Sequence, residues 1–214
     1  MDPETLARLR RDYGEAGLAE ADAGDEPSRL LGRWFDDALA AGITEPNAMT
    51  LATVGADGRP SVRIVLCKGF DERGLVFYTG YGSAKSRDLA VEPWCALALL
   101  WHDVGRQVRV EGPATRVAPA ESDAYFASRP RESRLGAWAS PQSEVVPDRA
   151  DLERRLAQIQ QRFDDTDVPR PEGWGGWRVE PQVVEFWQGR HGRLHDRLRY
   201  RRAVDGWERE RLGP

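Results

Sequence analysis

Two runs, Met49-Thr50-Leu51-Ala52-Thr53-Val54 and Ser61-Val62-Arg63-Ile64-Val65-Leu66-Cys67-Lys68, flank the tetrapeptide Ala56-Asp57-Gly58-Arg59. Both runs are rich in β-formers, and Asp57-Gly58 supplies the positive φ that a tight hairpin turn needs. The period of 2 continues outward. A turn at Asp71-Glu72-Arg73-Gly74 leads into a strand from Leu75 to Thr79, and Gly80-Tyr81-Gly82-Ser83 opens a short helix, Ala84 to Val91, stopped by Pro93. Strands at Trp94 to Trp101 and Gln107 to Val117 follow, joined by a turn containing Gly105. The result is an antiparallel meander of about five strands with one helix inserted, without the strand-helix alternation of a doubly wound sheet. The fold class is mainly β with flanking helices (α+β), closed as a β-barrel.

On the N-terminal side, the period is helical. Ser28 reads as an N-cap for a helix with Leu30, Leu31, Trp34, Phe35, Ala38 and Leu39 on one face, closed by Gly42. Before it, Thr5 to Tyr13 reads as a helix broken by Gly14 and Gly17, and Glu15 to Glu26 as a mobile acidic arm. Residues 1–27 are therefore expected to form a helix and arm, and residues 28–214 a single domain. On the C-terminal side, Pro119 starts a helix carrying Tyr125 and Phe126 that ends before Arg129-Pro130. A polar loop, Ser140 to Pro147, precedes an amphipathic helix from Asp148 to Phe163. Pro169, Pro171, Gly173, Gly175 and Gly176 form a loop with Trp174 and Trp177, before final strands at Val183 to Trp187, Arg193 to Arg201 and Trp207 to Leu212.

Composition sets limits on function. With 214 residues, 40% of them hydrophobic, the chain can bury a real core, and its net charge of -4 argues against a polyanion-binding protein. No nucleic-acid partner is expected. The two cysteines, Cys67 and Cys95, lack partners at metal-ligand spacing, so neither a disulfide scaffold nor a metal site is expected, and a reducing cytoplasm fits. No segment reads as a membrane span or a leader. Of the 31 basic residues only Lys68 and Lys85 are lysines, which points to positions that need a compact ammonium, although chance also accounts for it.

Four constellations could carry chemistry. Tyr78 to Lys85 joins a strand to a helix start, where backbone N–H groups and Lys85 favour an anion, or where Ser83 merely caps the helix. Arg63 and Lys68 face opposite sides of a regular strand, so both reach one ligand only through a bulge or with one lying past the strand end. In Gln107, Arg109 and Glu111, alternating with valines, Gln107 could bond a planar heterocycle, or the face is simply solvated. Tyr125 and Arg129, four apart, could clamp a phosphate, or Arg129 is a surface residue at a helix end. Finally, Arg193, His195 and Arg197 alternate and so are expected on one strand face, where two charges and an imidazole need an anion or solvent. The flanking arginines favour a neutral His195, a hydrogen-bond partner or base. No nucleophile motif occurs, so an organic cofactor is expected to do the chemistry.

Several of these segments, in order, resemble the pyridoxamine 5′-phosphate oxidases: Arg63 to Lys68, Phe77-Tyr78-Thr79, Arg106-Gln107-Val108, Tyr125-Phe126 with Ser128 to Arg131, Leu135 to Trp138 with Gln142-Ser143, Trp174-Gly175-Gly176, and Glu185 to Gly189 through Arg193-Leu194-His195-Asp196-Arg197. The resemblance implies an FMN-binding split β-barrel and a homodimer with a site shared between subunits. It implies oxidation of pyridoxamine or pyridoxine 5′-phosphate to pyridoxal 5′-phosphate, with O2 reduced to hydrogen peroxide. The FMN set it implies is Arg63, Ile64, Val65, Leu66, Cys67, Lys68, Tyr78, Thr79, Lys85, Gln107, Gln142, Ser143, Trp187 and Arg197. The substrate set it implies is Lys68, Tyr125, Arg129, Ser133, Arg193, Leu194 and His195, with Arg10, Arg11, Asp12 and Tyr13 as an N-terminal lid. Arg193, His195 and Lys68 take the catalytic roles. The chain departs from the family pattern at Ala84, where many members carry Arg before the matching Lys, so that either FMN phosphate binding is weaker here or another cation such as Arg87 substitutes. Two rivals stand beside this reading. A related flavin oxidase of another aromatic substrate has little use for the phosphate clamp, and a non-catalytic flavin or pyridoxal phosphate carrier need not keep both clamps.

Overall fold

The computed structural model describes residues 2, 13, 14 and 16–214; the expected helix from Thr5 to Tyr13 lies outside them except for Tyr13, which is not helical. Ten strands occur among the described residues: β1 Ala48–Val54, β2 Pro60–Leu66, β3 Gly69–Asp71, β4 Gly74–Gly80, β5 Trp94–Trp101, β6 Arg106–Arg116, β7 Trp174–Val179, β8 Val183–Gln188, β9 Asp196–Ala203 and β10 Gly206–Arg211. Six α-helices accompany them: α1 Glu20–Ala23, α2 Pro27–Ala40, α3 Ala84–Val91, α4 Pro119–Ser128, α5 Arg131–Ala139 and α6 Arg149–Arg162. The strand order is β10-β9-β8-β6-β5-β1-β2, and β7 pairs with both β4 and β6. No described helix is long and apolar enough to cross a membrane. The expected hairpin is present, with Gly58 at φ 75° and the Gly55 N–H donating to the Arg59 carbonyl at 3.1 Å.

The chain divides into two compact units built from discontinuous segments. The first unit takes residues up to Met49, Leu97–Val110 and Gln182–Pro214. In it β8 and β9 pair antiparallel with Phe186 opposite Leu198, and β9 pairs with β10. Helix α2 packs Trp34 edge-on to Phe186 at 5.1 Å and to Trp101 at 6.3 Å, and of the stripe read from the sequence Leu30, Leu31, Trp34 and Ala38 are buried, Phe35 is half-buried and Leu39, near the helix end, is exposed. Its N-cap is Glu26, with Pro27 in the first turn, rather than Ser28, because proline's fixed φ suits that position. The stretch expected as a mobile arm carries α1 and buries Leu18 and Ala23. It is anchored at Asp196, whose carboxylate accepts from the Leu18 N–H at 2.9 Å and from Arg211 at 2.5 Å.

The second unit takes Thr50–Ala96 and Glu111–Pro181. At its centre β4 pairs with β7 in the register Leu75↔Val179 to Gly80↔Trp174, and β7 replaces the loop expected around Trp174 and Trp177. The two glycines that suggested a loop are there for close packing. A Cβ on Gly175 would lie 2.1 Å from the Tyr81 hydroxyl, and one on Gly176 would lie 2.8 Å from the Tyr78 ring. Helix α5 has no counterpart in the sequence reading, since Gly136 and its nine residues give a weak local signal. Tertiary contacts hold it instead. Leu135 joins Phe126, Phe163, Val168 and Trp174 in a core, and Arg131 caps the end of α6 by donating to the carbonyls of Thr166 and Asp164 at 2.8 and 3.1 Å, and to that of Phe163.

Candidate functional site

Within the second unit a cavity of about 310 Å³ is lined by Ile64, Val65, Leu66, Lys68, Tyr78, Thr79, Lys85, Tyr125, Arg129, Gln142 and Trp174. Ten of these eleven belong to the cofactor and substrate sets expected from the sequence; Trp174 was quoted only within the Trp174-Gly175-Gly176 segment and given no site role. Strand β2 ends at Leu66, so Lys68 reaches the cavity from beyond the strand end, with its N–H bonded to the Val76 carbonyl at 2.8 Å. Arg63 is turned instead toward Thr53 Oγ1, at 2.5 Å, and Asp88, at 3.5 Å, and is not among the lining residues.

The three cations in this wall, Lys68, Lys85 and Arg129, lack an acidic partner among the described residues; Lys68 is exposed, whereas the other two are buried or half-buried. Lys85, 8% exposed in the first turn of α3, donates only to the hydroxyls of Thr79, at 3.0 Å, and Ser83, at 3.3 Å. Burial, with a smaller contribution from the charge of Arg63, holds its ammonium below the ordinary lysine value, which an anion in the cavity would reverse. The second is Arg129. It lies just past the end of α4 in extended conformation, its Nη1 is buried with no hydrogen-bond partner, and burial pulls its pKa down. A cation so placed, without a carboxylate beside it, has its charge open to an anion. Beside them three rings lie nearly parallel. Tyr78 and Tyr125 stack at 3.9 Å and 16°, Tyr78 and Trp174 at 5.6 Å and 12°. Burial pushes the Tyr78 phenol up to about 12, so it stays neutral. Gln142 spans the end of β4, its Oε1 accepting from Thr79 Oγ1 and the Gly80 N–H, both at 2.9 Å.

Other expected residues of this unit do not line the cavity. The Cys67 thiol is buried, which raises its pKa, and it donates to the Gly69 carbonyl at 3.4 Å. Ser133 is exposed in the first turn of α5, and Ser143 is exposed at φ 69°. Ala84 starts α3, and Arg87 is exposed with its guanidinium on the Gly82 carbonyl. Neither cysteine forms a disulfide, and no cluster among the described residues could hold a metal.

The first unit holds the remaining expected residues. Arg193, His195 and Arg197 do not share a strand face as expected. Gly192 at φ 65° and Arg193 at φ 62° bend the chain into a short 3-10 turn, so β9 begins only at Asp196. Arg197 is paired with Glu185 at 2.9 Å, and Leu194 is exposed. Gln107 is half-buried on β6, whose Val108 and Val110 face the core as the alternation predicts. His195 Nδ1 accepts from the Arg190 N–H at 3.1 Å, so Nε2 carries the proton of the neutral ring. The imidazole lies 4.6 Å from Trp187 and 5.6 Å from Tyr13. Tyr13 sits over two glycines: a Cβ on Gly189 would lie 2.5 Å from its ring and one on Gly105 2.7 Å. Arg10, Arg11 and Asp12 lie outside the described residues.

Comparison with known proteins converges on one family. Residues 35–163 match the family model described as pyridoxamine 5′-phosphate oxidase, and residues 174–214 match the pyridoxine 5′-phosphate oxidase C-terminal dimerisation region. The pyridoxine/pyridoxamine 5′-phosphate oxidase of Rubrobacter xylanophilus is 60% identical over 98% of this chain and 96% of its own length. That of Synechocystis sp. is 51% identical over the whole of both. Among solved structures, PhzG from Burkholderia lata 383, in complex with tetrahydrophenazine-1-carboxylic acid, superposes with a TM-score of 0.88 at 34% identity over 94% of this chain and all of that one. A pyridoxamine 5′-phosphate oxidase-related, FMN binding protein from Nostoc punctiforme shares the fold, with a TM-score of 0.68 at 21% identity over 85% of this chain and 96% of its own. The architecture is thus the antiparallel split β-barrel, and the chain belongs to the pyridoxamine 5′-phosphate oxidase family.

Proposed function

We propose that the protein is an FMN-dependent oxidase that converts pyridoxamine 5′-phosphate and pyridoxine 5′-phosphate to pyridoxal 5′-phosphate, reducing O2 to hydrogen peroxide. The observation that carries this reading is the buried Lys85 and the half-buried Arg129, lining one cavity with stacked aromatic rings and no acidic partner among the described residues. A flavin phosphate and a substrate phosphate meet that need separately. When bound, FMN supplies the two-electron acceptor that O2 regenerates.

Lys85, Thr79 and the start of α3 would hold the flavin phosphate, assisted by Arg63, and Ile64 to Lys68, Tyr78, Gln142 and Ser143 would flank the flavin. Gln107, Trp187 and Arg197 complete the FMN set. Tyr125, Arg129 and Ser133 would bind the substrate phosphate, and Lys68, Arg193, Leu194 and His195 the pyridine end. Arg10, Arg11, Asp12 and Tyr13 would cover the substrate. With Nδ1 engaged by Arg190, His195 offers an N–H at Nε2 and orients the substrate's amine or hydroxyl as a donor. A proton would have to be taken up at Nδ1, after the hydrogen bond from the Arg190 N–H is released. The working form is a homodimer, in keeping with the match to a dimerisation region, and its proposed place is the cytoplasm.

The test is the visible spectrum of the purified protein before and after anaerobic addition of pyridoxamine 5′-phosphate. We expect a flavin spectrum that bleaches without NADH. A colourless protein that FMN cannot reconstitute would sink the reading. A flavin bleached only by a tetrahydrophenazine carboxylic acid would move the protein to another aromatic substrate.

A further inference from the structure

We propose that Trp174 is a positioning residue for the phosphate clamp, holding the Arg129 guanidinium by its indole face so that its donors stay available to the ligand. The proposal rests on the assignment of Arg129 to the substrate phosphate. The Arg129 guanidinium carbon lies 4.7 Å from the centre of the Trp174 ring and 5.4 Å from that of Phe126. No carboxylate among the described residues pairs with it, and Nη1 is buried without a hydrogen bond. A buried guanidinium is normally held by an acid, which would also neutralise it and occupy its fork. An aromatic face attracts the same cation through its quadrupole while accepting no N–H bond, so orientation is gained without loss of the charge that a phosphate must meet.

Trp174 is itself fixed to the helix that carries the clamp. Arg170 donates to the Trp174 carbonyl at 2.7 Å and to Asp123 of α4 at 2.6 Å, and the Gly176 N–H donates to Ser122 of α4 at 3.1 Å. The indole is 8% exposed and lies parallel to Tyr125, another α4 residue, at 6.2 Å and 5°. Movement of the indole would therefore displace Arg129 and Tyr125 together.

The experiment measures binding of pyridoxal 5′-phosphate to the FMN-loaded enzyme, together with KM and kcat for pyridoxamine 5′-phosphate and kcat/KM for unphosphorylated pyridoxamine. These are compared in wild type, Trp174→Leu, Trp174→Phe, Arg129→Ala and the Trp174→Leu/Arg129→Ala double variant. We expect Trp174→Leu to weaken pyridoxal 5′-phosphate binding and raise KM by about tenfold with little change in kcat, and to lower kcat/KM for pyridoxamine 5′-phosphate about tenfold more than kcat/KM for unphosphorylated pyridoxamine. Trp174→Phe, which keeps a flat but weaker face, should retain most of the affinity, losing about threefold. The double variant should be no weaker than Arg129→Ala alone, because Trp174 acts through the arginine. Losses that multiply in the double variant, or that fall equally on pyridoxamine, would overturn the proposal by showing Trp174 to be only structural. If Trp174→Leu does not fold, Trp174→Phe decides: an unchanged affinity, or an equal loss on both substrates, overturns it. If Arg129→Ala itself leaves pyridoxal 5′-phosphate binding unchanged, it is the clamp assignment that falls. If Arg129→Ala weakens binding while Trp174→Leu does not, the clamp stands and the role of Trp174 is gone.

Discussion

Lys85 is the residue whose chemistry is most constrained by its surroundings. Its ammonium is buried against two hydroxyls, and the neighbouring Ala84 adds no charge. Arg87 does not fill that place, since its guanidinium is engaged with the Gly82 carbonyl at the start of its own helix. Ala84→Arg should therefore add one charge-assisted contact and tighten FMN binding by about tenfold, with little effect on kcat at saturating FMN. Titration of apo-protein followed by flavin fluorescence measures this, and an unchanged Kd would show that another cation already serves. The same titration has a pH dependence of fixed sign. The fold without FMN disfavours the charged form of Lys85 and a phosphate favours it, so affinity should fall as pH rises through the lowered pKa of Lys85. Lys85→Met should lose both affinity and slope; a slope that persists would belong to another group. Arg129 was legible from its spacing to Tyr125, although it reaches the cavity from beyond the helix end. Trp174 was legible as part of the Trp174-Gly175-Gly176 segment of the family resemblance, but its place in the cavity wall was not, because nothing in Pro-Glu-Gly-Trp-Gly-Gly distinguishes a strand glycine placed for ring packing from a loop glycine.

Among the elements, the strands of the meander were readable because alternation and the Asp57-Gly58 turn act locally. The errors lie where distant contacts decide. Helix α5 is held by Leu135 packing and by Arg131 on the end of α6, and Gly192 with Arg193 delays β9 to Asp196. The segment around α1 is a third case. Arg211 donates to Glu20 at 2.6 Å, to Asp196 at 2.5 Å and to the Leu18 carbonyl at 2.9 Å, tying what composition reads as an arm to β10. The Arg211 hydrogen bond holds the Glu20 carboxyl down at about 2, and at Asp196 the Leu18, Arg211 and Arg190 donors outweigh a burial effect of opposite sign. Depressed carboxylates contribute stability above their unfolded pKa values and lose it as pH falls through the folded ones. The anchor should therefore hold at neutral pH and release in strong acid, toward about 2. Arg211→Ala should release it at neutral pH, seen as rapid cleavage within residues 16–26 by a broad-specificity protease. Equal resistance in wild type and variant would mean that Leu18 and Ala23 burial alone secures the segment.

For the molecule as a whole, the net charge argued against a polyanion-binding role, and the recurring motifs pointed to the family. The division into two units was hidden, because β1, β5 and β6 each contribute residues to both and no linker marks a boundary. Self-association is expected at the apolar surface of β2, where Val62 is 67% and Ile64 64% exposed in the single chain. Sedimentation should give twice the 24.1 kDa of one chain, and Val62→Asp should shift the protein toward monomer. A dimer indifferent to that change would have its contact elsewhere. The scarcity of lysine has a further consequence. A protease that cuts only after lysine has two sites in all 214 residues, and both, Lys68 and Lys85, stand in the wall of the cavity. Digestion of the native protein into three fragments would then time the opening of that wall, and protection by FMN would be read directly from a gel.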